Sequence, residues 1–253
     1  MTGAGGVGKT TLSVNLGYEI ARRNKKVAIF DLDPQGSINV ACRLNKMPAA
    51  RKTTAWIYSG FFGGEYSLTP VWEDNVNNLS VFQGGSPLFK IMPMLAQQEG
   101  ILALRKALET YPLKEDLIIF DCPATLETLP RTALAAATHL LIPLVPDPKA
   151  IDGTRVLIDW YLKSCEEMDL NPKPEILGFV INNVEKGAEH QRLTDAIIPR
   201  YEERGWQVFG PIRHYTSFVN AWSEAVPLRV HRTTHPALPA LEEIRDEVIG
   251  RMK

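Results

Sequence analysis

Cysteine is scarce in this sequence, and the little present falls at spacings that bind nothing. Cys42, Cys122 and Cys165 are three thiols in 253 residues, an odd number without a Cys-x-x-Cys pair, which argues against a disulfide framework, a zinc ribbon or a cluster held by paired cysteines. They read as reduced cytosolic thiols. A charge excess is also missing: 28 basic against 29 acidic side chains leave a net charge of −1. No global polarity draws the chain toward nucleic acid or lipid, so any such binding has to come from a local patch. No apolar run is long enough to span a bilayer, and the N-terminus does not read as a signal peptide. Repeats, low-complexity tracts and flexible linkers are absent as well. With 45% hydrophobic residues the chain can bury a substantial core, and one cytoplasmic domain over residues 1–253 is the simplest organisation.

The opening MTGAGGVGKTT is rich in what the rest of the chain uses sparingly. Gly3, Gly8, Lys9 and Thr10 fit G-x-x-x-x-G-K-[ST] in full. Glycines let the main chain turn several N–H groups inward around a polyphosphate. Residues Gly5, Gly6, Val7, Gly8, Lys9, Thr10 and Thr11 would form that cradle, with Lys9 reaching the β/γ-phosphates and the Thr10 hydroxyl on Mg²⁺. TTLSVNLGYEIARRNKK then reads as a helix, with Arg22, Arg23, Lys25 and Lys26 where cations suit its C-terminal dipole. ATP with Mg²⁺ is the cofactor pair this pattern calls for.

Strand-like runs recur at KKVAIFDLD, NNLSVFQGG, DLIIFDCP, THLLIPLVP, EILGFVINN and WQVFGP, with helical patterns between most of them. That alternation predicts an α/β fold, a mostly parallel sheet with helices on both faces, whose ligands collect beyond the carboxyl ends of the strands. Residues 43–76, with WIYSGFFGGEYS, read as an excursion from the sheet. Asp31, Asp33 and Asp121 all fall at strand ends. A carboxylate there, beside a phosphate loop, can hold Mg²⁺ directly or through water, or orient a water for attack on the γ-phosphate. Asp121 is assigned to the metal shell, and Asp33 to water positioning with a share in the metal site. A lone Asp would more often cap a helix or favour a turn; three together beside a complete phosphate loop favour chemistry.

In order, GGVGKTT, DLDPQGS, IIFDCPAT, LIPLVPDPKAIDG and LGFVINN resemble the ParA/MinD family of dimeric partition ATPases over nearly the whole chain. The resemblance implies an ATP-bound sandwich homodimer, slow hydrolysis stimulated by a small adaptor protein, and cargo positioning on the nucleoid or at a membrane. By motif it makes Lys9 and Asp33 catalytic, Asp121 part of the metal shell, and Asn182 the reader of adenine, with Pro211 beside the nucleotide. It departs first at the family's signature lysine, which is replaced by Ala4. Lys149, on the loop after LIPLVP, is the candidate to supply the missing charge. That loss resembles the maintenance of carboxysome distribution ATPases, which position microcompartments through an adaptor. A plasmid or chromosome partition ATPase and a P-loop metabolic enzyme remain as alternatives.

Only Met1 and Thr2 precede the loop in the given sequence, whereas family members place a buried central strand there. Its omission would leave a gap flanked by unpaired backbone groups. The C-terminal HPALPALEEIRDEVIGRMK has an acidic polar side, so it is expected to pack on the domain rather than on anionic lipid. Non-specific contacts to nucleoid DNA are expected from Arg213, Arg229 and Arg232, and less securely from His214 and His231.

Overall fold

The computed structural model describes residues 6–96, 98–148 and 150–252. All six strand-like runs form strands: β1 (Val27–Asp31), β3 (Leu79–Phe82), β4 (Leu117–Asp121), β5 (His139–Leu144), β6 (Glu175–Ile181) and β7 (Val208–Phe209), with β2 (Thr69–Pro70) between the first two in the chain. They make two sheets, ordered β2-β3-β1-β4 and β5-β6-β7. Every pairing is parallel except that of β2 with β3. Helices cover the sheets, beginning with α1 (Lys9–Ala21). Strand β1 is buried along its whole length, with Val27, Ala28, Ile29 and Phe30 fully inaccessible. A strand covered on both faces needs such a continuous apolar run.

The excursion over residues 43–76 is tied back to the sheet more closely than its composition suggests. Thr54 donates through its N–H to the Gln83 carbonyl (2.8 Å) and through its hydroxyl to the Asp31 carbonyl (2.7 Å). Ala55, Ile57 and Tyr58 enter the core beside Phe30, Phe82 and Leu88. Phe30 meets Tyr66 and Phe82 at ring separations of 5.8 and 5.2 Å, geometries that add to burial. Strand β2, which no apolar alternation announces, forms at the end of this segment.

The C-terminal helix Leu238–Arg251 packs on α1 through Leu238, Leu241 and Ile244, as its pattern predicts. Beneath that seam lie charges: Glu19 of α1 bonds Arg229 and Arg22 and approaches Arg245, while Arg229 also bonds Glu242. Among the described residues no helix is long and apolar enough to cross a membrane.

Among the described residues the two sheets do not join. Between β4 and β5 lies a cavity of about 850 Å³, walled by Leu117–Cys122 on one side and by His139, Leu140, Leu141 and Pro143 on the other. Leu117, Ile118, Ile119 and Phe120 are consequently only half-buried, unlike their neighbours on β1. The cavity lies where a gap is expected from the given sequence.

Candidate nucleotide site

The loop enters α1 through Gly8, which has φ +86°. A Cβ there would sit 2.4 Å from Asn182 Nδ2, so both conformation and space call for glycine. The Asn182 amide donates to the Val7 carbonyl (2.8 Å), tying the loop to the end of β6. The Asn182 N–H in turn bonds the Leu144 carbonyl (2.8 Å). The second sheet thereby fixes the position of a loop that lies against the first.

On the other side stands Asp121, buried at the end of β4 and in register with Asp31 at the end of β1. Ser13 donates to Asp121 Oδ1 at 3.0 Å, and the Thr10 hydroxyl also bonds this carboxyl. Its Oδ2 is buried without a partner. Burial pushes the Asp121 carboxyl up to about 6 against those two hydrogen bonds, and burial together with Asp121 raises Asp31 well above the ordinary range. Lys9 is shifted downward by desolvation, opposed by the nearby Asp121, Cys122 and Asp33.

Asp33 is half-buried on the loop after β1. Its N–H donates to Asp31 Oδ1 (2.9 Å), its own Oδ1 accepts from the Gln35 N–H (2.9 Å), and its carbonyl accepts from Gly36 and Gly85 (both 3.0 Å). The loop after β3 crosses Asp31 so closely that a Cβ on Gly84 would lie 2.6 Å from the carboxyl carbon. Lys9, Thr10, Asp33 and Asp121 therefore gather at one rim. Asn182 reaches the same loop from β6, with Pro211 exposed on the segment that runs beside residues 181–184.

The donor set fits Mg²⁺ carried by a polyphosphate. An orphaned carboxylate oxygen stands beside a threonine hydroxyl. No group of three His, Cys, Asp or Glu side chains able to hold a metal occurs among the described residues, and Mg²⁺ commonly takes one or two protein ligands with phosphate and water. When bound, Mg²⁺ neutralises phosphate charge; the chain's own groups orient that phosphate through Lys9 and the loop N–H groups.

Gly5, Ala4 and Lys149 lie outside the described residues. Arg213 and Arg232 are exposed, but Arg229 corrects the DNA expectation. Its side chain is only 14% exposed and is held by Glu19 and Glu242, so it has no charge to spare for a phosphate. His231 similarly bonds Glu224 (2.8 Å) and His214 bonds Asn183 (2.7 Å). Ser13 was missed by motif reading, although its position three residues after Thr10 places it on the same helix face.

Because the unfolded chain releases the Asp121 proton near 3.8 and the folded apoprotein near 6, this group stabilises the apoprotein most below about pH 4. The contribution falls as pH rises through that window, by about 3 kcal/mol. Asp121→Asn is expected to flatten the pH dependence of the urea midpoint across it. An unchanged slope would show that the carboxyl titrates normally.

A glycine-rich phosphate loop at a helix N-terminus, with acids at adjacent strand ends, defines a P-loop nucleotide-binding protein. Comparison with known proteins carries this further. A family model described as an AAA domain matches residues 2–175. The chain is 30% identical over 159 residues to the sporulation initiation inhibitor protein Soj of Bacillus subtilis, covering 61% of this chain and 60% of that protein. It is 28% identical over 261 residues to the chromosome-partitioning ATPase Soj of Thermus thermophilus, covering 98% and 93%. The solved structure of apo McdA from Cyanothece shares the fold with a TM-score of 0.84 at 18% identity, over 98% and 97% of the two chains. The chain belongs to this AAA-domain family, within its ParA/MinD group of P-loop ATPases.

Proposed function

We propose that the protein is an ATP-driven dimerisation switch that binds nucleoid DNA without sequence preference and positions a cargo, with carboxysomes the favoured cargo and a small adaptor protein stimulating hydrolysis. The observation that carries the reading is the convergence of Lys9, Thr10, Asp33 and Asp121 on one rim, with Asn182 holding the loop from the far side. In this reading Lys9 and the loop amides from Gly5 to Thr11 hold the phosphates, and Thr10 and Asp121, with Asp33, serve the metal. Asp33 orients the attacking water, and Asn182 and Pro211 flank adenine. Lys149 supplies the charge absent at Ala4. Arg213 and Arg232 remain the DNA contacts. The name of the T. thermophilus relative, a chromosome-partitioning ATPase, favours chromosome partition as the second reading of the cargo.

Light-scattering mass with ADP and with ATP tests the switch. ATP is expected to double the mass of the parent and of Asp33→Ala, while Asp33→Ala loses phosphate release; Lys149→Ala is expected to stay monomeric. The ATP form should retain DNA with an affinity that falls steeply with salt. A monomer under ATP, or retention indifferent to salt, would refute the proposal.

A further inference from the structure

Asp33 carries a large share of the proposed chemistry on a loop with little stiffness of its own. Its carbonyl is clamped by the N–H groups of Gly36 and Gly85 (both 3.0 Å), and these glycines stand at φ +62° and +108°. Glycine has the most backbone freedom to lose, so a clamp built from two of them keeps its place only if something else holds it. Two buried amides do so. Asn39, on the helix Ser37–Ala41, is 1% exposed, and Gln83, directly after β3, is 6% exposed. Gln83 Nε2 donates to Asn39 Oδ1 (3.0 Å) and to the Asn45 carbonyl (2.9 Å), while the Gln83 carbonyl accepts from the Thr54 N–H (2.8 Å). The Asn39 amide in turn lies against both glycines: a Cβ on Gly36 would come within 2.9 Å of its Nδ2, and one on Gly85 within 3.6 Å.

We infer that Asn39 and Gln83 are positioning residues for Asp33, setting the two-glycine clamp on its carbonyl and so aiming its carboxylate at the attacking water, a role that rests on the proposed part of Asp33 in hydrolysis. The pair is poorly built for stability. Asn39 Nδ2 is buried with no hydrogen-bond partner among the described residues, and an unsatisfied buried donor keeps its full desolvation cost, whereas apolar groups of the same shape in place of both partners are close to neutral. What apolar groups do not supply is direction. The Gln83 bond fixes the plane of the Asn39 amide, and that amide fixes where Gly36 and Gly85 can stand.

The test compares the full chain with its double variant Asn39→Leu, Gln83→Met. Urea midpoints are expected to stay at or above the parent's, whereas hydrogen exchange at the Gly36 and Gly85 amides is expected to quicken at least ~10-fold. Phosphate release at saturating ATP should fall by about 10- to 100-fold, the scale set by a small misplacement of a catalytic group, while affinity for a fluorescent ATP analogue stays within about 2-fold of the parent. Gln83→Met alone is expected to move the amides and the turnover in the same directions, and it keeps the comparison open if the double variant does not fold. Unchanged exchange at both amides would overturn the inference. So would turnover and ATP affinity falling together, the mark of a site loosened as a whole. A parent that releases no phosphate would instead refute the reading of Asp33, and the two glycine amides would still decide whether this pair holds its loop.

Discussion

Glu19→Ala is expected to destabilise the protein by about 3–5 kcal/mol, the cost of stranding buried charge. The Glu19 side chain is 1% exposed and meets three arginines, of which Arg245 is 3% exposed. Removing the carboxylate leaves Arg229 with Glu242 and Arg245 chiefly with Asp246, both at the rim, while the side facing α1 has no counter-charge. Glu19→Gln keeps the shape and part of the hydrogen bonding, so its cost should fall between parent and alanine. Urea midpoints give the comparison. The double variant Glu19→Ala, Arg229→Ala should be less destabilised than the two single changes added together, because the second change removes a charge that the first left unpaired. Additive losses, or a loss below about 1 kcal/mol for Glu19→Ala, would mean that the network is no more than a solvated surface pair.

Lys9→Ala is expected to weaken ATP binding by about 10- to 100-fold, the worth of a charge-assisted hydrogen bond at one factor of ten per 1.4 kcal/mol. The ammonium sits in a place that burial disfavours, with Asp121 and Asp33 nearby to offset the cost. An anionic phosphate would add to that compensation, and alanine offers nothing in its place. Lys9→Arg should recover little, because a planar fork does not fit where a point charge on a flexible stem is required. Titration with a fluorescent ATP analogue, alongside thermal melts showing both variants folded, makes the measurement. Parent-like affinity in folded Lys9→Ala would remove this lysine from the phosphate site.

What was legible in the sequence is what short segments encode. The end of the loop at Gly6–Gly8, the helix after it and the acids closing apolar runs each depend on neighbours within a few residues, and these appear where their patterns placed them. Six strands were legible for the same reason: buried parallel strands are continuous apolar runs. Arg229 was misread because its partners, Glu19 and Glu242, lie 210 and 13 residues away, and nothing local separates a buried paired arginine from an exposed one. Strand β2 was hidden because two residues on an antiparallel edge need no pattern of their own; Val81 and Ser80 supply the register. Gly84 belongs to the same class. Its lack of a side chain matters only because the Asp31 carboxyl, far off in sequence, passes 2.6 Å from where a Cβ would be.

If Asn182 reads adenine, as proposed, its bond to Val7 couples base selectivity to the loop. With its Nδ2 held by the Val7 carbonyl and close against Gly8, the amide turns Oδ1 away from the loop. An outward carbonyl oxygen accepts from an exocyclic amine such as adenine carries, whereas the O6 of guanine would meet it acceptor to acceptor. Turning the amide over to suit guanine would give up the Val7 bond, about 1 kcal/mol, and loosen the loop that must grip the phosphates. On the proposed reading of Asn182, one side chain would make the choice of base and the grip on the triphosphate a single decision, so that a mismatched nucleotide would be penalised at both of its ends.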